Sequence, residues 1–331
     1  RAVERAELAE DQGTRAQALT QLVFMLGQRS DGADQAEALA AEASGVLKSI
    51  GADPILRAQL DNALGVASKV AGDLDDALVY QRRALATLQE LYGEEHPATL
   101  RTMANLANTL RGKREFARAE GLLRRASEGL ERVLGSEHPA YAVSLSNLAL
   151  ILAELGRTDE ALALMRRSLE LRARNDPDHP SLAAAQFNLA HVLFDSRAYE
   201  AALAQYREGL ATRTEAPHEP KDLTAFWQGI GACELRLGHV ELARVEFERW
   251  LEVETTTKRP GALAHARFEL GRTLIASDPE RGLELTVLAR SVVLDHVREN
   301  PSSKQRELMF EISAWLPIAR SVVELRRVAP R

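Results

Sequence analysis

The chain has 331 residues, of which 45% are apolar, 27% charged and 5% aromatic, with a formal net charge of −6. This balance suffices for a folded core and excludes a disordered chain, and the modest acidity argues against nucleic acid as partner, because phosphate binding calls for a basic surface. A single cysteine, Cys233, excludes an internal disulfide framework and a cysteine-based zinc site.

Residues 1–50 read as a leading helix and a degenerate repeat, with Phe24, Met25 and Leu26 in its first helix and Ala36 at a small position. From residue 51 a phrase recurs. Gly93-Glu94-Glu95-His96-Pro97 precedes Asn105-Leu106-Ala107, Gly135-Ser136-Glu137-His138-Pro139 precedes Asn147-Leu148-Ala149, and Asp178-His179-Pro180 precedes Asn188-Leu189-Ala190. Degenerate triplets extend the series at Ala63-Leu64-Gly65, Gly229-Ile230-Gly231 and Glu269-Leu270-Gly271. A fixed period of about 40–42 residues means stacked structural repeats. Each unit reads as Pro, helix A, turn, helix B, loop, with boundaries 51–92, 93–134, 135–176, 177–216, 217–257 and 258–298.

In Pro97–Leu110 the apolar residues Leu100, Met103, Leu106, Ala107 and Leu110 fall on one helical face. Helix B is predicted from Glu115 to Leu134, with Phe116, Ala119, Leu122, Leu123, Ala126, Leu130 and Val133 facing inward and Gly135 as the stop. Turns are expected at Gly72, Arg114, Gly156, Arg197 and Gly238. Ala77, Ala119, Ala161, Ala202 and Ala243 form a column of small residues, as two closely crossing helices require. The unit 258–298 has a shorter turn at Asp278-Pro279-Glu280, and 299–331 holds a capping helix over 304–327, with Leu308, Ile312, Trp315, Leu316 and Ile318 inward. No stretch reads as a strand. The expected fold is therefore an all-α, right-handed superhelical solenoid with a C-terminal capping helix.

These helix–turn–helix units resemble the tetratricopeptide repeat. Their longer period, the Gly-x-x-His-Pro lead-in and the Asn-Leu-Ala triplet resemble its kinesin-light-chain-like type, most specifically over residues 93–216. The resemblance implies a protein or peptide ligand held on a concave face lined by helix A. It also implies a bacterial setting, where such arrays form the C-terminal part of serine/threonine kinases and other signalling enzymes. The start at Arg1 in mid-helix pattern reads as part of a longer chain, which gives the alternative of a regulatory region in cis contact with an N-terminal enzyme domain.

Within that frame Asn105, Asn147 and Asn188 recur at one place on helix A, and each amide offers two donors and an acceptor to a peptide main chain. The other reading is that each Asn bonds a neighbouring helix. Thr102, Thr109, Ser144 and His191 neighbour them at i±3 or i±4 and are candidate groove walls. His96, His138 and His179 lie about one repeat apart, too far for one shared metal, and are expected to cap helices or to pack in the loops. Arg82, Arg124, Arg166 and Arg207 form a helix-B column, read either as a salt-bridged face or as a basic stripe for an acidic partner. Cys233 is expected in the core, and Trp227 and Trp250 either in the core or as an aromatic anchor for a peptide side chain where the asparagine series ends. No nucleophile elbow, zinc-protease, phosphate-loop, dinucleotide or kinase motif occurs, so no catalytic role, cofactor or metal is expected in this segment. No run of 18 apolar residues and no signal peptide appear, so a cytoplasmic location without membrane insertion is expected.

Overall fold

A computed structural model describes residues 2–29, 32–51, 53–176, 179, 181–215, 218–257, 259–297 and 303–328. The chain divides into two compact units, residues 1–175 and 176–331. Both are entirely helical among the described residues. Asp178 and Pro180 of the third His-Pro phrase lie outside the described residues.

The first unit holds α1 (Ala2–Gly27), α2 (Ala33–Ser49), α3 (Pro54–Ala71), α4 (Leu74–Tyr92), α5 (Pro97–Gly112), α6 (Phe116–Leu134), α7 (Pro139–Glu154) and α8 (Thr158–Asn175). The second holds α9 (Ser181–Asp195), α10 (Tyr199–Glu215), a short 3-10 turn (Pro220–Asp222), α11 (Thr224–Arg236), α12 (Val240–Thr257), α13 (Pro260–Leu274), α14 (Pro279–Val297) and α15 (Ser303–Val328). Odd-numbered helices from α3 to α13 are the A helices of successive repeats and even-numbered ones the B helices. Each A helix packs on its own B helix, and within each unit the B helix packs on the next A helix. Successive A helices also touch, α3 with α5, α5 with α7 and α9 with α11. This is the helix-pair solenoid that the period implies.

The small column explains the pairing. Ala77, Ala119, Ala161, Ala202 and Ala243 are all fully buried, as are Ala107, Ala149 and Ala190 on the A helices. In the α13–α14 pair, glycine takes over. A Cβ on Gly271 would come within 2.8 Å of the Gly282 carbonyl oxygen, and one on Gly282 within 2.7 Å of the Gly271 oxygen. Here two backbones touch, and no side chain fits between them.

The A–B turns share one geometry. Gly72, Arg114, Gly156, Arg197 and Gly238 all have positive φ, at 99°, 62°, 77°, 66° and 85°. After each, the next amide reaches back five residues: Asp73 N–H to the Ser68 carbonyl at 2.8 Å, Glu115 to Leu110, Arg157 to Leu152 and Ala198 to Leu193 at 2.9 Å, and His239 to Glu234 at 2.8 Å. These are Schellman closures, which satisfy the carbonyls a helix end leaves open. Two of the five left-handed positions carry arginine, which is strained there in a way glycine is not.

Two inward assignments differ from the sequence reading. Val133 is 44% exposed and Ile318 51% exposed. Val133 lies in the last turn of α6, and Ile318 falls off the buried stripe of α15, which runs through Ile312, Leu316, Ala319 and Val323. Leu308, Ile312 and Leu316 do pack with Phe268, Ala289 and Val293, and Trp315 is partly buried against them. Two outcomes are expected in urea denaturation followed by circular dichroism. Ala119→Leu should cost about 1–3 kcal/mol by overpacking the α5–α6 crossing. Gly156→Ala should lose about 1 kcal/mol to left-handed strain, while Arg114→Gly should gain up to about 1 kcal/mol.

Candidate binding surface

The His-Pro phrase builds the start of helix A. His96 and His138 are the N-cap residues of α5 and α7, each followed by Pro at the first helical position. Each ring uses Nδ1 as an acceptor, from Ala98 N–H at 3.2 Å and Ala140 N–H at 3.1 Å. His179 does the same for Ser181 N–H at 3.0 Å. An imidazole nitrogen thus does what an Asp or Asn oxygen usually does at an N-cap. Tyr92 stacks on the His96 ring at 4.2 Å. No group of three or more His, Cys, Asp or Glu placed to hold a metal occurs among the described residues.

Burial along the A helices defines what a ligand can reach. In α5 the accessible positions include Arg101, Asn105, Asn108 and Gly112. In α7 they include Val143, Asn147, Leu150 and Glu154, and in α9 Ala184, Asn188, His191 and Asp195. The spacing is i, i+4, i+7, i+11 each time, a narrow stripe along one side of a helix. All three asparagines lie on it, half-buried. His191 lies on it too, exposed and 3.2 Å from Asp195.

Thr102, Thr109 and Ser144 do not lie on the stripe. They are 2%, 0% and 1% exposed. The Thr109 hydroxyl donates to the Asn105 carbonyl at 3.3 Å and Ser144 to the Tyr141 carbonyl at 2.7 Å. The i±3 or i±4 rule placed them near asparagine on the helix surface but could not say which flank a neighbouring helix covers.

The sequence reading missed Asn62 and Asn108. Asn105 donates its amide to Asn62 Oδ1 at 3.1 Å. Asn62 sits one residue before the triplet column, which reads Ala63 in that repeat, so column alignment overlooked it. A hollow opens beside the stripe in each unit. In the first unit Asn105 and Asn108 line one with Phe24, Lys69, Val70 and Gln81. In the second, Asn188 lines one with Phe187, Phe226, Ala183, Arg213 and Asp222. The rings of Phe187 and Phe226 meet edge to face at 5.4 Å, giving that hollow an aromatic floor.

The arginine column is partly tied up in ion pairs. Arg124 bonds Glu120 and Glu160, and Arg157 reaches the same two acids. This square ties α6 to α8. Arg207 pairs with Glu234, a buried carboxylate whose other oxygen lies 2.7 Å from His239 Nδ1. Arg82 and Arg166 are exposed. Trp250 is core, its indole N–H donating to Glu254 at 3.1 Å, and Trp227 packs partly buried against the same cluster. Cys233 is fully buried, and burial pushes its thiol up to about 12, which makes it an unreactive thiol.

These features define a helix-pair repeat protein with an asparagine-bearing stripe along its A helices. Residues 56–132, 106–174 and 141–215 match the tetratricopeptide repeat, so the stretch 56–215 belongs to that family. Comparison with curated protein sequences gives no match. Among solved structures, the kinesin light chain TPR-like repeats of Podosopora anserina align with a TM-score of 0.51 at 20% identity, over 62% of this chain and 99% of that one. BtubC (BKLC) from P. vanneervenii aligns at 0.53 and 19%, over 72% and 92%. A Rap protein complexed with competence and sporulation factor aligns at 0.59 and 16%, over 96% and 90%. The helical solenoid is therefore kinesin-light-chain-like in fold. Repeat solenoids of this kind present extended surfaces for protein interaction. No helix among the described residues is long and apolar enough to cross a membrane.

The capping geometry sets an expectation. His138→Ala should lower stability by about 1 kcal/mol, whereas His138→Asn, which keeps an acceptor, should lose only part of that. Urea midpoints of the two variants check it.

Proposed function

We propose that this chain is a non-catalytic interaction module that holds an extended peptide or partner segment along the A-helix stripe. The observation that carries the reading is that Asn105 and Asn147 in the first unit, and Asn188 in the second, each fall on the accessible stripe of their own helix, while most of that helix is buried. Asparagine amides bond a main chain without regard to its side chains. Asn105 and Asn188 each line a hollow, and His191 stands beside Asn188 on the same stripe. Thr102, Thr109 and Ser144 act in this reading only by fixing the helix that carries the amides. The Rap protein bound to competence and sporulation factor, although similar only in fold, supports a ligand-holding role for such a solenoid.

Arg82 and Arg166 are the members of the arginine column left for a second contact. The partner comes in trans, or in cis from an enzyme domain of the same polypeptide such as a bacterial serine/threonine kinase, with the array in the cytoplasm.

A short-peptide array probed with wild type and with Asn105→Ala/Asn147→Ala/Asn188→Ala tests the reading, with circular dichroism as folding control. Binding should fall by about 0.5–1.5 kcal/mol per amide removed, with helicity retained. Asn147→Ala is the cleanest single variant, because Asn105→Ala also strips Asn62 of its partner. Equal binding by wild type and folded triple variant would assign the amides to helix packing instead.

A further inference from the structure

A hollow between α14 and α15 is lined by Arg290, Ser313, Leu316, Pro317 and Arg320. Neither helix carries the asparagine stripe. The spacing of four of these residues, i, i+3, i+4 and i+7, puts them on one flank of α15. Arg290 comes to the same place from α14, which packs along α15. Leu316 is buried in the core beneath, and Pro317, inside the helix, has no N–H to offer. The floor is therefore apolar, and two guanidinium groups and a hydroxyl stand around it. The hollow measures about 170 Å³, several times the share of one water in the liquid, about 30 Å³.

The charge of this hollow is uncompensated. Elsewhere on the same two helices Arg281 reaches Glu248, Arg327 reaches Glu280, and Arg326 donates to the Ala276 and Ser277 carbonyls. Arg290 and Arg320 have no such partner among the described residues. Arg290 has Thr286, Val287, Val293 and Leu294 at i±3 and i±4, none of them acidic. Glu324 stands at i+4 from Arg320 but forms no ion pair with it. Two other hollows that carry arginine also carry acids, Glu94, Glu95 and Glu128 in one and Asp222 in the other. Here two cations from two helices share a hollow with no acid in its lining.

We propose that this hollow binds a phosphate monoester. A guanidinium fork matches the oxygens of a phosphoryl group with paired N–H bonds. A phosphate monoester carries about −1.5 to −2 charge at pH 7, which two arginines neutralise, whereas a carboxylate answers only one of them. The Ser313 hydroxyl donates a further bond, and Leu316 and Pro317 keep water from one side of the pair, which strengthens it. The shared chemistry is the dianionic phosphoryl group, carried by a phosphorylated side chain of a partner or by a free phosphate compound. The site is separate from the peptide stripe and does not depend on it.

The test titrates the full chain at low ionic strength with inorganic phosphate, O-phosphoserine and acetate, by calorimetry and, for the first two, by broadening of the phosphorus NMR signal. Wild type should bind the phosphate compounds one per chain, and acetate at least about tenfold more weakly. Arg290→Gln/Arg320→Gln should weaken phosphate binding at least about tenfold with helicity unchanged, because both side chains are exposed. Arg281→Gln/Arg327→Gln, which removes the same charge from the same helices, should bind as wild type does. Affinity should fall below about pH 6, where the phosphate takes up its second proton. If the double variant loses helicity, Arg320→Gln alone carries the test.

Tighter binding of O-phosphoserine than of inorganic phosphate would support the site and assign it to a phosphorylated side chain, and the reverse order would support it for a free phosphate compound. Equal losses in the two double variants would overturn the site in favour of general charge attraction. Acetate binding as tight as phosphate, or no phosphate binding by wild type, would overturn it as well.

Discussion

The structure depends on one steric condition: a column of alanine or glycine lets helix B pack closely on helix A in each repeat. Five alanines spaced one repeat apart meet it with no exposed surface, and the Gly271–Gly282 approach meets it in its extreme form. Close packing at the crossing fixes the angle of each hairpin. The left-handed turn residue fixes its length, because a Schellman closure ends helix A at the same register in each of five repeats. Repetition of these two local conditions propagates a solenoid through contacts between neighbouring repeats.

Polar groups divide by where they lie relative to that core. On the outer B-helix face, acids and arginines bridge neighbouring helices, as in the square of Arg124, Glu120, Arg157 and Glu160. Such exposed pairs contribute little individually. Inside, carboxylates are paired: Glu254 with Trp250 and Arg259, and Glu234 with Arg207 and His239. Against this background the buried amides of Gln81 and Gln186 keep atoms without a hydrogen-bond partner among the described residues.

Much of this was legible in the residues. The repeat period, the turn positions, the small column and the histidine caps all follow from local rules, and each appears in the structure at the residue expected. The exceptions share a cause. Thr102, Thr109 and Ser144 satisfy the i±3 or i±4 relation to asparagine, yet they are buried, because each A helix is covered by its own B helix and by the neighbouring repeats. Asn108 satisfies the same relation on the open flank. Helical periodicity gives angles around one axis but not the directions from which neighbours approach. Val133 and Ile318 are apolar residues that neighbouring helices leave exposed, Val133 in the last turn of α6 and Ile318 one position off the buried stripe of α15.

The sequence alone determined the recurring helix pairs, their turn chemistry and the recurrence of one amide in three successive repeats, because each depends on interactions within about one helical turn or hairpin, whereas the leading helix expected ahead of the degenerate first repeat is continuous with it in α1. Only the tertiary structure decided which side of helix A remains open, that Asn62 partners Asn105, and that Lys69, Gln81 and Asn108 line one hollow. Those residues come from three helices of two repeats. Their meeting depends on the crossing geometry of packed helices, which no local pattern encodes.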